Sequence, residues 1–232
     1  SVLAVGLNYY VDIKPHPNSL KIGRFAWGMD YHKIIEKRLK KLGLWLERQR
    51  PECKWKVCVD SSALLEKAWA EEAGLGWIGK HSNLINEKNG SWMVLGYLLC
   101  TENLTADKPA KSLCGNCRKC IEACPTHAIT EPFVINSRLC LPYHTLENRN
   151  PELPKAIKES IGEWIAGCDI CQEICPWNKK STISSKDPDM QPKQWVLNLR
   201  KSQVKTWEEN EWNQKLKNST LKRMKPWMWR RN

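Results

Sequence analysis

The order of apolar and polar positions in the first half of the chain predicts alternating strands and helices. Val2–Tyr10 is rich in apolar and β-favouring residues and predicts a buried strand. Across Asp30–Gln49, apolar residues recur at helical spacing between lysines and arginines, which indicates an amphipathic helix lying on a sheet. Trp55–Val59 alternates as a second strand, and Ser91–Cys100 is an apolar run of strand length. Residues 1–110 are therefore expected to form an α/β layer.

A further helix is predicted between the second and third of these strands. Ser61 or Ser62 can cap a helix over Ala63–Ala73, and Gly74 can end it in the left-handed conformation. The glycine-rich turn that follows contains neither the dinucleotide-binding nor the P-loop fingerprint. Its glycines therefore indicate a tight corner or a close approach of the backbone to a bulky ligand.

Two cysteine runs dominate the middle of the chain. The first is Cys114-x2-Cys117-x2-Cys120-x3-Cys124-Pro125, and the second is Cys168-x2-Cys171-x3-Cys175-Pro176. In such a run, three thiolates bind one cubane cluster, while the last cysteine, beside proline, reaches a second cluster. The second run lacks its first cysteine, and Cys140 is the most economical substitute.

These spacings predict ligands for two [4Fe–4S] clusters. Because the last cysteine of each run crosses over, the first set is Cys114, Cys117, Cys120 and Cys175, and the second set is Cys124, Cys140, Cys168 and Cys171. A structural zinc site does not need a third cysteine at this spacing followed by Cys-Pro, and a C-x-x-C pair is too close-set for a stable structural disulfide. Since such clusters move single electrons, the chain either carries electrons or uses them.

Length and composition narrow the setting of this chemistry. The chain has 232 residues, enough for one large domain or two small ones. Its cysteine usage, the lack of a secretory apolar region and the absence of any apolar run near ~18 residues predict a soluble, cytoplasmic protein. The chain opens directly in a predicted strand without methionine, so an N-terminal portion is expected to be missing.

Basic charge is concentrated at the end of the chain, after a polar loop predicted at Ser181–Lys193. From Lys179 onward there are 14 Lys and Arg residues against 5 Asp and Glu, within a net charge of +12. The same stretch contains Trp195, Trp207, Trp212, Trp227 and Trp229. Basic residues interleaved with aromatic ones suit phosphate contacts and base stacking on RNA. A solvated tail whose tryptophans pack on the main body fits the composition equally well.

Asp60 is a candidate functional carboxylate, because it ends a predicted strand where the ligands of open α/β sheets gather. A helix N-cap or a surface turn explains the same position, and spacing alone favours that structural role. Asp30-Tyr31-His32 has the D-x-H of one cobalamin-binding signature but lacks the glycine three residues after the histidine. Ligation of cobalt by a histidine of that kind is therefore not supported.

Several motifs along the chain form a specific combination. They are Cys58-Val-Asp60-Ser-Ser-Ala-Leu-Leu-Glu66, Ala73-Gly-Leu-Gly-Trp-Ile-Gly-Lys80, Gly90-Ser-Trp92, the run from Cys114 to Pro125, and Gly167-Cys-Asp-Ile-Cys-Gln-Glu-Ile-Cys-Pro-Trp-Asn178. Gly6-Leu-Asn-Tyr-Tyr10 and Gly28-Met-Asp-Tyr-His32 belong with them. Together they resemble the epoxyqueuosine reductase family from Val2 to the end of the chain, although that family normally has an additional N-terminal segment.

The resemblance implies a mixed α+β or α/β architecture in three parts. Residues 1–110 would form a nitroreductase-like α/β domain that binds cobalamin. Residues 111–180 would form a ferredoxin-like module with two [4Fe–4S] clusters, and residues 181–232 a short basic helical tail that contacts tRNA. The implied reaction is the two-electron, two-proton reduction of epoxyqueuosine to queuosine at the wobble position of tRNA, the last step of queuosine synthesis.

The resemblance also implies roles for individual residues. Asp60 matches the family's proton donor, which requires a carboxylic acid that stays protonated near neutral pH, favoured by burial beside the corrin. Base-off cobalamin would be lined by Tyr31, Lys80, Asn83 and Leu84, with Asp60 beside it. Lys222, Arg223, Lys225 and Arg230 would contact tRNA at its anticodon loop. A monomer that receives electrons from an external donor such as flavodoxin or ferredoxin is expected.

Two other functions remain open at this point. The chain could be a two-cluster electron-transfer protein without its own substrate, in which the α/β half docks a partner. It could also be a corrinoid reductase of a small halogenated or epoxide substrate. A bound corrinoid would argue against the first alternative, and tight tRNA binding would exclude the second.

Overall fold

The three strands predicted from the hydrophobic pattern pair into one sheet. In the computed structural model, which describes residues 1–180 and 183–231, these strands are β1 (Val2–Asn8), β3 (Trp55–Cys58) and β6 (Met93–Cys100). β6 lies in the centre and pairs antiparallel with both neighbours. The sheet is therefore of the α+β type, and Asp60 does not lie at the carboxyl edge of a parallel sheet.

The predicted amphipathic helix covers one face of the sheet. α1 (Tyr31–Gln49) buries Ile35 and Leu39 against Leu98 of the central strand. The helix lies very close to β6, because that strand carries Gly96, where a Cβ atom would collide with the side chain of Ile35. The alternation of side chains along the strands leaves every second residue for the opposite face.

The helix on the opposite face starts later than the sequence predicted. α2 (Glu66–Glu72) begins three residues beyond the predicted start, and neither Ser61 nor Ser62 caps it. The carboxylate of Glu66 instead accepts a hydrogen bond of 2.7 Å from the backbone N–H of Asp60. An acidic residue in the first turn therefore fixes the preceding loop, and it also suits the positive end of the helix dipole.

The other elements up to residue 180 are short. They are β2 (Lys21–Ile22), β4 (Trp77–Ile78), β5 (Leu84–Ile85), α3 (Lys119–Glu122), β7 (Ile129–Glu131), β8 (Val134–Ile135), α4 (Lys155–Ser160), β9 (Trp164–Ala166), α5 (Ile170–Glu173) and α6 (Pro176–Lys180), with a 3₁₀ turn at Arg24–Ala26 and a π-helical turn at Tyr143–Glu147. β2 pairs in parallel with β9. α4 ends at Ser160, because Gly162 adopts a φ of +53° and β9 follows.

The C-terminal segment is helical, as expected. It contains α7 (Gln194–Leu197), α8 (Lys201–Thr206), α9 (Glu209–Lys215) and α10 (Pro226–Arg231), with 3₁₀ turns at Pro188–Met190 and Thr220–Arg223. Ser181, Thr182 and Asn232 lie outside the described residues. The part of the predicted boundary loop that follows residue 182 contacts α1, since the guanidinium of Arg38 donates to the carboxylate of Asp187 at 2.5 and 3.0 Å.

The tail tryptophans build a hydrophobic core. Trp195, Trp207, Trp212 and Trp229 contact one another through edge-on and tilted ring pairs. The same core includes Ile22, Ala26, Trp27, Ile165 and Ala166, so the tail packs on both preceding parts of the chain. Base stacking is therefore wrong for these four rings and the packed alternative is right, while Trp227 is 39% exposed. In the described residues, no helix is long and apolar enough to cross a membrane.

Candidate functional site

The first cysteine set lines a small cavity of about 40 Å³. Its wall contains Cys114, Cys117, Cys120 and Cys175, together with Lys80, His81, Ile85, Pro176 and Trp177. The ammonium group of Lys80 donates to the carbonyl oxygens of Gly115 at 2.6 Å and Cys117 at 2.9 Å. Lys80 therefore holds the cysteine loop in place, and its charge faces this small cavity.

The second cysteine set lines a larger, open cavity of about 350 Å³. Cys124, Cys140, Cys168 and Cys171 form part of its wall. Another part of the wall comes from residues 1–110, which contain the three-stranded sheet. It is largely apolar and includes Tyr31, Leu84, Met93, Val94 and Leu95. A cavity with thiols on one side and an apolar wall on the other suits a large planar ligand next to a metal cluster.

The arrangement of the thiols differs from that of a single-ion site. Among residues 1–180 and 183–231, no three His, Cys, Asp or Glu side chains are grouped so that they could hold one metal ion. Thiolates around one zinc ion lie ~2.3 Å from the metal and hence close together, whereas a cubane spreads its ligands over a larger body. Burial raises the pKa of Cys120 and of Cys140 to about 11, so cluster assembly must displace protons from these thiols.

Three of the four residues expected around the corrin line the larger cavity. They are Tyr31, Asn83 and Leu84. Lys80, the fourth, is not in this wall, because the chain reverses direction over residues 79–82 and directs its side chain to the smaller cavity. A different lysine, Lys67 of α2, lines the larger cavity in its place. Its ammonium group donates to the carbonyl oxygen of Ser82 at 2.6 Å, and burial lowers its pKa.

Asp60 lies next to the larger cavity, because its backbone N–H donates to Glu66, which lines that cavity. The carboxylate of Asp60 belongs to a row of ion-paired side chains. Its Oδ2 is 3.2 Å from His32 Nε2, and His32 Nδ1 is 2.7 Å from Asp30 Oδ1. The ring of His32 stacks on that of Tyr31, with centroids 4.0 Å apart. No sequence motif predicts the contact between His32 and Asp60, because the two residues come from different elements.

The protonation states in this row of side chains differ from those expected. Hydrogen bonds to Asp30 and to Asp60 raise the pKa of His32 to about 9, so the ring is an imidazolium at neutral pH. The hydrogen bond from His32 lowers the pKa of Asp60, with further contributions from charge on His32 and Arg223. The Asp60 side chain is half-exposed, and its φ is +50°. The expectation of a buried, protonated Asp60 is therefore wrong for this conformation.

The basic residues expected to contact tRNA have different environments. Arg223 forms an ion pair of 2.6 Å with Glu147 and lies near Asp60. Arg230 donates to the carbonyl oxygen of Trp207 at 2.7 Å, so part of its guanidinium is used inside the tail. Lys222 and Lys225 are exposed. Arg223 is thus the member of this group whose charge acts on Asp60.

A buried polar network joins the sheet unit to the second cysteine run. Ser91 Oγ donates to Gln172 Oε1 at 2.8 Å, and Asn178 Nδ2 donates to Ser91 Oγ at 2.8 Å. The backbone N–H of Ser91 donates to Asn178 Oδ1 at 2.6 Å. Tyr9 lies within reach of Gln172 at 3.3 Å. Since buried hydrogen bonds with every partner satisfied rigidify a core, this network fixes the two walls of the larger cavity relative to each other.

Comparison with known protein families agrees with this geometry. The family model described as a 4Fe-4S double cluster binding domain matches residues 113–178, so the chain binds two [4Fe–4S] clusters. The family model described as "Epoxyqueuosine reductase QueG, DUF1730" matches residues 1–61. An epoxyqueuosine reductase of Synechococcus sp. (strain CC9605) is 62% identical over 232 residues, which are 100% of this chain and 72% of the relative. The chain belongs to the epoxyqueuosine reductase family.

Crystal structures of other epoxyqueuosine reductases share the fold. One, in complex with an epoxyqueuosine-modified tRNA-Tyr stem loop, aligns with a TM-score of 0.89 at 26% identity over 99% of this chain. A second, from Bacillus subtilis, has its catalytic aspartate loop swung out of the active site and aligns with a TM-score of 0.88 at 25% identity over 99% of this chain. This chain spans 61% of the length of each of those two chains.

Proposed function

We propose that this chain reduces epoxyqueuosine to queuosine in tRNA. The observation that carries the proposal is the larger cavity, which has the second cysteine set in its wall and the ion-paired Asp60 bonded to Glu66 of its lining. A carrier that only transfers electrons needs no such cavity beside its cluster. Family membership at 62% identity supports the same reaction.

We infer that the two cysteine sets are the ligands of the two clusters. Each set lines one cavity, including the crossed-over Cys124 and Cys175, which supports the assignment made from spacing. The cluster of the smaller cavity would receive electrons, because Asp60, which would act on the substrate, lies next to the other cavity. The cluster of the larger cavity would then deliver them one at a time to the reaction centre.

The character of the lining of the larger cavity supports binding of cobalamin, the cofactor that the family resemblance implies. Its apolar wall suits the face of a macrocycle, and Asn83 and Lys67 offer polar groups to the amide arms. When bound, cobalamin supplies a low-potential cobalt centre for opening the epoxide. Tyr31 and Leu84 would hold the ring from the sheet side. Lys80 would not take part, since it faces the other cavity.

Asp60 would deliver a proton to the departing epoxide oxygen with the help of His32. At neutral pH the His32–Asp60 pair holds one proton, which hydrogen-bonds the two side chains at 3.2 Å. As negative charge develops on the oxygen, the proton passes from the pair through Asp60 to the substrate. The loop that carries Asp60 would move inward after Asp60 has taken the proton from His32, and the swung-out loop of the Bacillus subtilis enzyme supports such movement.

The partners of this reaction follow from the surface. The structure of a relative with a tRNA stem loop supports tRNA as the substrate, and Lys222, Arg223 and Lys225 would contact its phosphates. Arg230 would contribute less, because it is bonded to Trp207. The electron donor would be an acidic carrier such as flavodoxin or ferredoxin. We further propose that the protein acts as a monomer in the cytoplasm.

The test is anaerobic reconstitution with iron, sulfide and cobalamin, followed by conversion of epoxyqueuosine-containing tRNA measured by nucleoside mass spectrometry. The wild type is expected to bind about eight irons and one corrinoid. Asp60→Asn is expected to lower the rate by about 10²–10⁴-fold, the usual contribution of a general acid. Its iron and cobalt content should not change. Exposed Asp107→Asn is the matched control and should keep full activity.

Two outcomes would contradict these proposals. A protein with eight irons that binds no corrinoid and converts no substrate would favour an electron carrier over a reductase. Full activity in Asp60→Asn would reject the role of this residue while leaving the reductase assignment intact.

A further inference from the structure

Unsatisfied polar atoms gather around the smaller cavity. In the described part of the chain, four buried side-chain polar atoms lack a hydrogen-bond partner: Trp77 Nε1, His81 Nε2, Trp92 Nε1 and Thr220 Oγ1. Of these, His81 lines the smaller cavity, and Trp77 lies behind its wall, packed against Cys175 and Cys114. Because a buried N–H without an acceptor is costly, native structures nearly always provide one. These two groups therefore point to an acceptor that the protein itself does not contain.

His81 is built as a hydrogen-bond donor. Its Nδ1 accepts the backbone N–H of Asn83 at 3.2 Å, so the proton of the neutral ring is on Nε2. Burial, with the charge of Lys67, lowers the pKa of His81 to about 4, which keeps the ring neutral. A Cβ atom on Gly79 would lie 3.1 Å from His81 Cε1, so the ring packs tightly against the backbone there. The orientation of the Nε2–H is thus fixed by the fold.

The acceptor is identified by the size of the cavity. His81 lines both cavities, but the smaller one is only about 40 Å³. Any group held there by Cys114, Cys117, Cys120 and Cys175 must contact the whole lining, His81 included. Trp77 is 2% exposed, packs with Cys175, and meets the ring of Trp177 edge-on at 5.0 Å. In an iron–sulfur protein, the acceptors at such a place are the sulfur atoms of the cluster.

We propose that the Nε2–H of His81 and the Nε1–H of Trp77 donate hydrogen bonds to sulfur atoms of the cluster in the smaller cavity and thereby raise its reduction potential. One-electron reduction adds a negative charge to the cluster, and N–H donors stabilise that charge. The first cluster therefore accepts an electron from an external donor more readily than it would in the same cavity without these groups. The inference rests on the proposed assignment of the first cysteine set.

The test is a redox titration of the anaerobically purified protein, followed by electron paramagnetic resonance. His81→Phe and Trp77→Phe each keep an aromatic ring but remove the N–H. Each is expected to shift the potential of the first cluster downward, and the double variant further. His81→Gln, which retains an N–H donor, should lower the potential of the first cluster less than His81→Phe does. Trp92→Phe is the matched control, since it removes an unpartnered indole N–H from a core packed around Tyr9 and Ile34.

A direct readout tests the hydrogen bond itself. In the reduced wild type, proton hyperfine couplings that disappear on exchange into D₂O are expected from the donors, and His81→Phe should lose one of them. Equal potentials in all variants, or a shift confined to the other cluster, would overturn the inference. Iron and sulfide analysis precedes the titration. A wild type with no clusters would overturn the cluster assignment instead, so the two failures are distinguishable.

Discussion

Each of the two cavities is lined by four cysteines, but the surroundings of the two sets are very different. The smaller one is closed in by Trp77, Ile85 and Trp177, and the charge of Lys80 is bonded to backbone carbonyl groups. The larger one is open and has ionisable groups in its lining, including Glu66, Lys67 and Tyr31, with the His32–Asp60 pair next to it. A fixed apolar shell keeps reorganisation small during electron transfer, whereas exchangeable protons serve bond-breaking chemistry. The surroundings of the smaller cavity therefore suit electron transfer, and those of the larger cavity suit the reaction itself.

The strongest way to break this comparison is to remove one crossed-over cysteine at a time. Cys124→Ser should abolish the cluster of the larger cavity although Cys124 belongs to the first run, and Cys175→Ser should abolish the cluster of the smaller one. Each variant should fall from about eight irons to about four. Corrinoid binding should weaken only in Cys124→Ser. Buried Cys53→Ser, which lines neither cavity, should keep all the iron.

One result would contradict the assignment of Cys124 and Cys175 to the cluster of the other run. If Cys124→Ser and Cys120→Ser abolished the same paramagnetic signal, each run would hold its own cluster. The distribution of cysteines over the two cavities would then not reflect ligation.

The protein surface outside the smaller cavity should bind the electron donor. Lys111, Arg118 and Lys119 are exposed on and beside the loop of the first set. Reversing their charge to Glu should slow reduction by flavodoxin or ferredoxin by about ten- to a hundredfold and weaken the dependence of the rate on salt, since opposite charges steer association. Stopped-flow bleaching of the clusters measures this rate.

The control for the charge reversals near the first cysteine run is a second set of charge reversals on another exposed basic surface. Lys37→Glu, Lys41→Glu and Arg48→Glu on α1 change the net charge equally, far from the cysteine loop in sequence. They should leave the rate nearly unchanged. Reduction by dithionite should be similar in all variants, and equal slowing by both triple variants would reject a local docking surface.

The exposed basic residues around Arg223 should have a smaller effect, which depends on RNA. Replacing Lys222, Arg223 and Lys225 with Gln is expected to weaken tRNA binding about tenfold and to reduce the salt slope by ~0.7–0.9 per lost phosphate contact. Arg230→Gln should change the slope little, because Arg230 is bonded to Trp207. Binding measured at several salt concentrations separates the two. An equal loss of slope in both variants would contradict the distinction between them.

Sequence reasoning worked where a local pattern determines structure. Three strands, α1 and the left-handed Gly74 follow from residue periodicity and backbone conformation. The division of the cysteines into two sets is predicted from spacing, and each set lines one cavity, while its ligation of a cluster stays a prediction. These features depend on the covalent geometry of short segments.

The rest of the site depends on contacts between distant segments, which no local pattern encodes. Lys80 and Lys67 both lie near the glycine-rich turn, and only the fold decides which one faces the larger cavity. The His32–Asp60 pair joins α1 to the loop before α2, so its effect on protonation could not be read from Asp60 alone. The tail tryptophans likewise became a core through contacts with residues 22, 26, 27, 165 and 166.

The smallest predicted effect is a pH dependence of stability that belongs to the ion pairs next to the larger cavity. The folded-state pKa of His32, about 9, is above its ordinary value of 6.5, so the ion pairs stabilise the fold fully below about pH 6.5. This stabilisation is lost as the pH rises through about 9. The lowered pKa values of Asp30 and Asp60 set the acid limit, and the stabilisation is lost as the pH falls through them. Because Asp60 is half-exposed, the effect should be below ~1 kcal/mol.

Denaturant unfolding of the wild type and His32→Gln at pH 6.5 and pH 9.5 measures this contribution. The wild type should lose more of its free energy of unfolding between the two pH values than the variant does. His16→Gln, which replaces an exposed histidine on a loop, should behave like the wild type. The same pH response in His32→Gln and in the wild type would show that the ion pairs of His32 do not hold Asp60 in this position. Asp60 would then be free to move without first breaking a contact with an imidazolium.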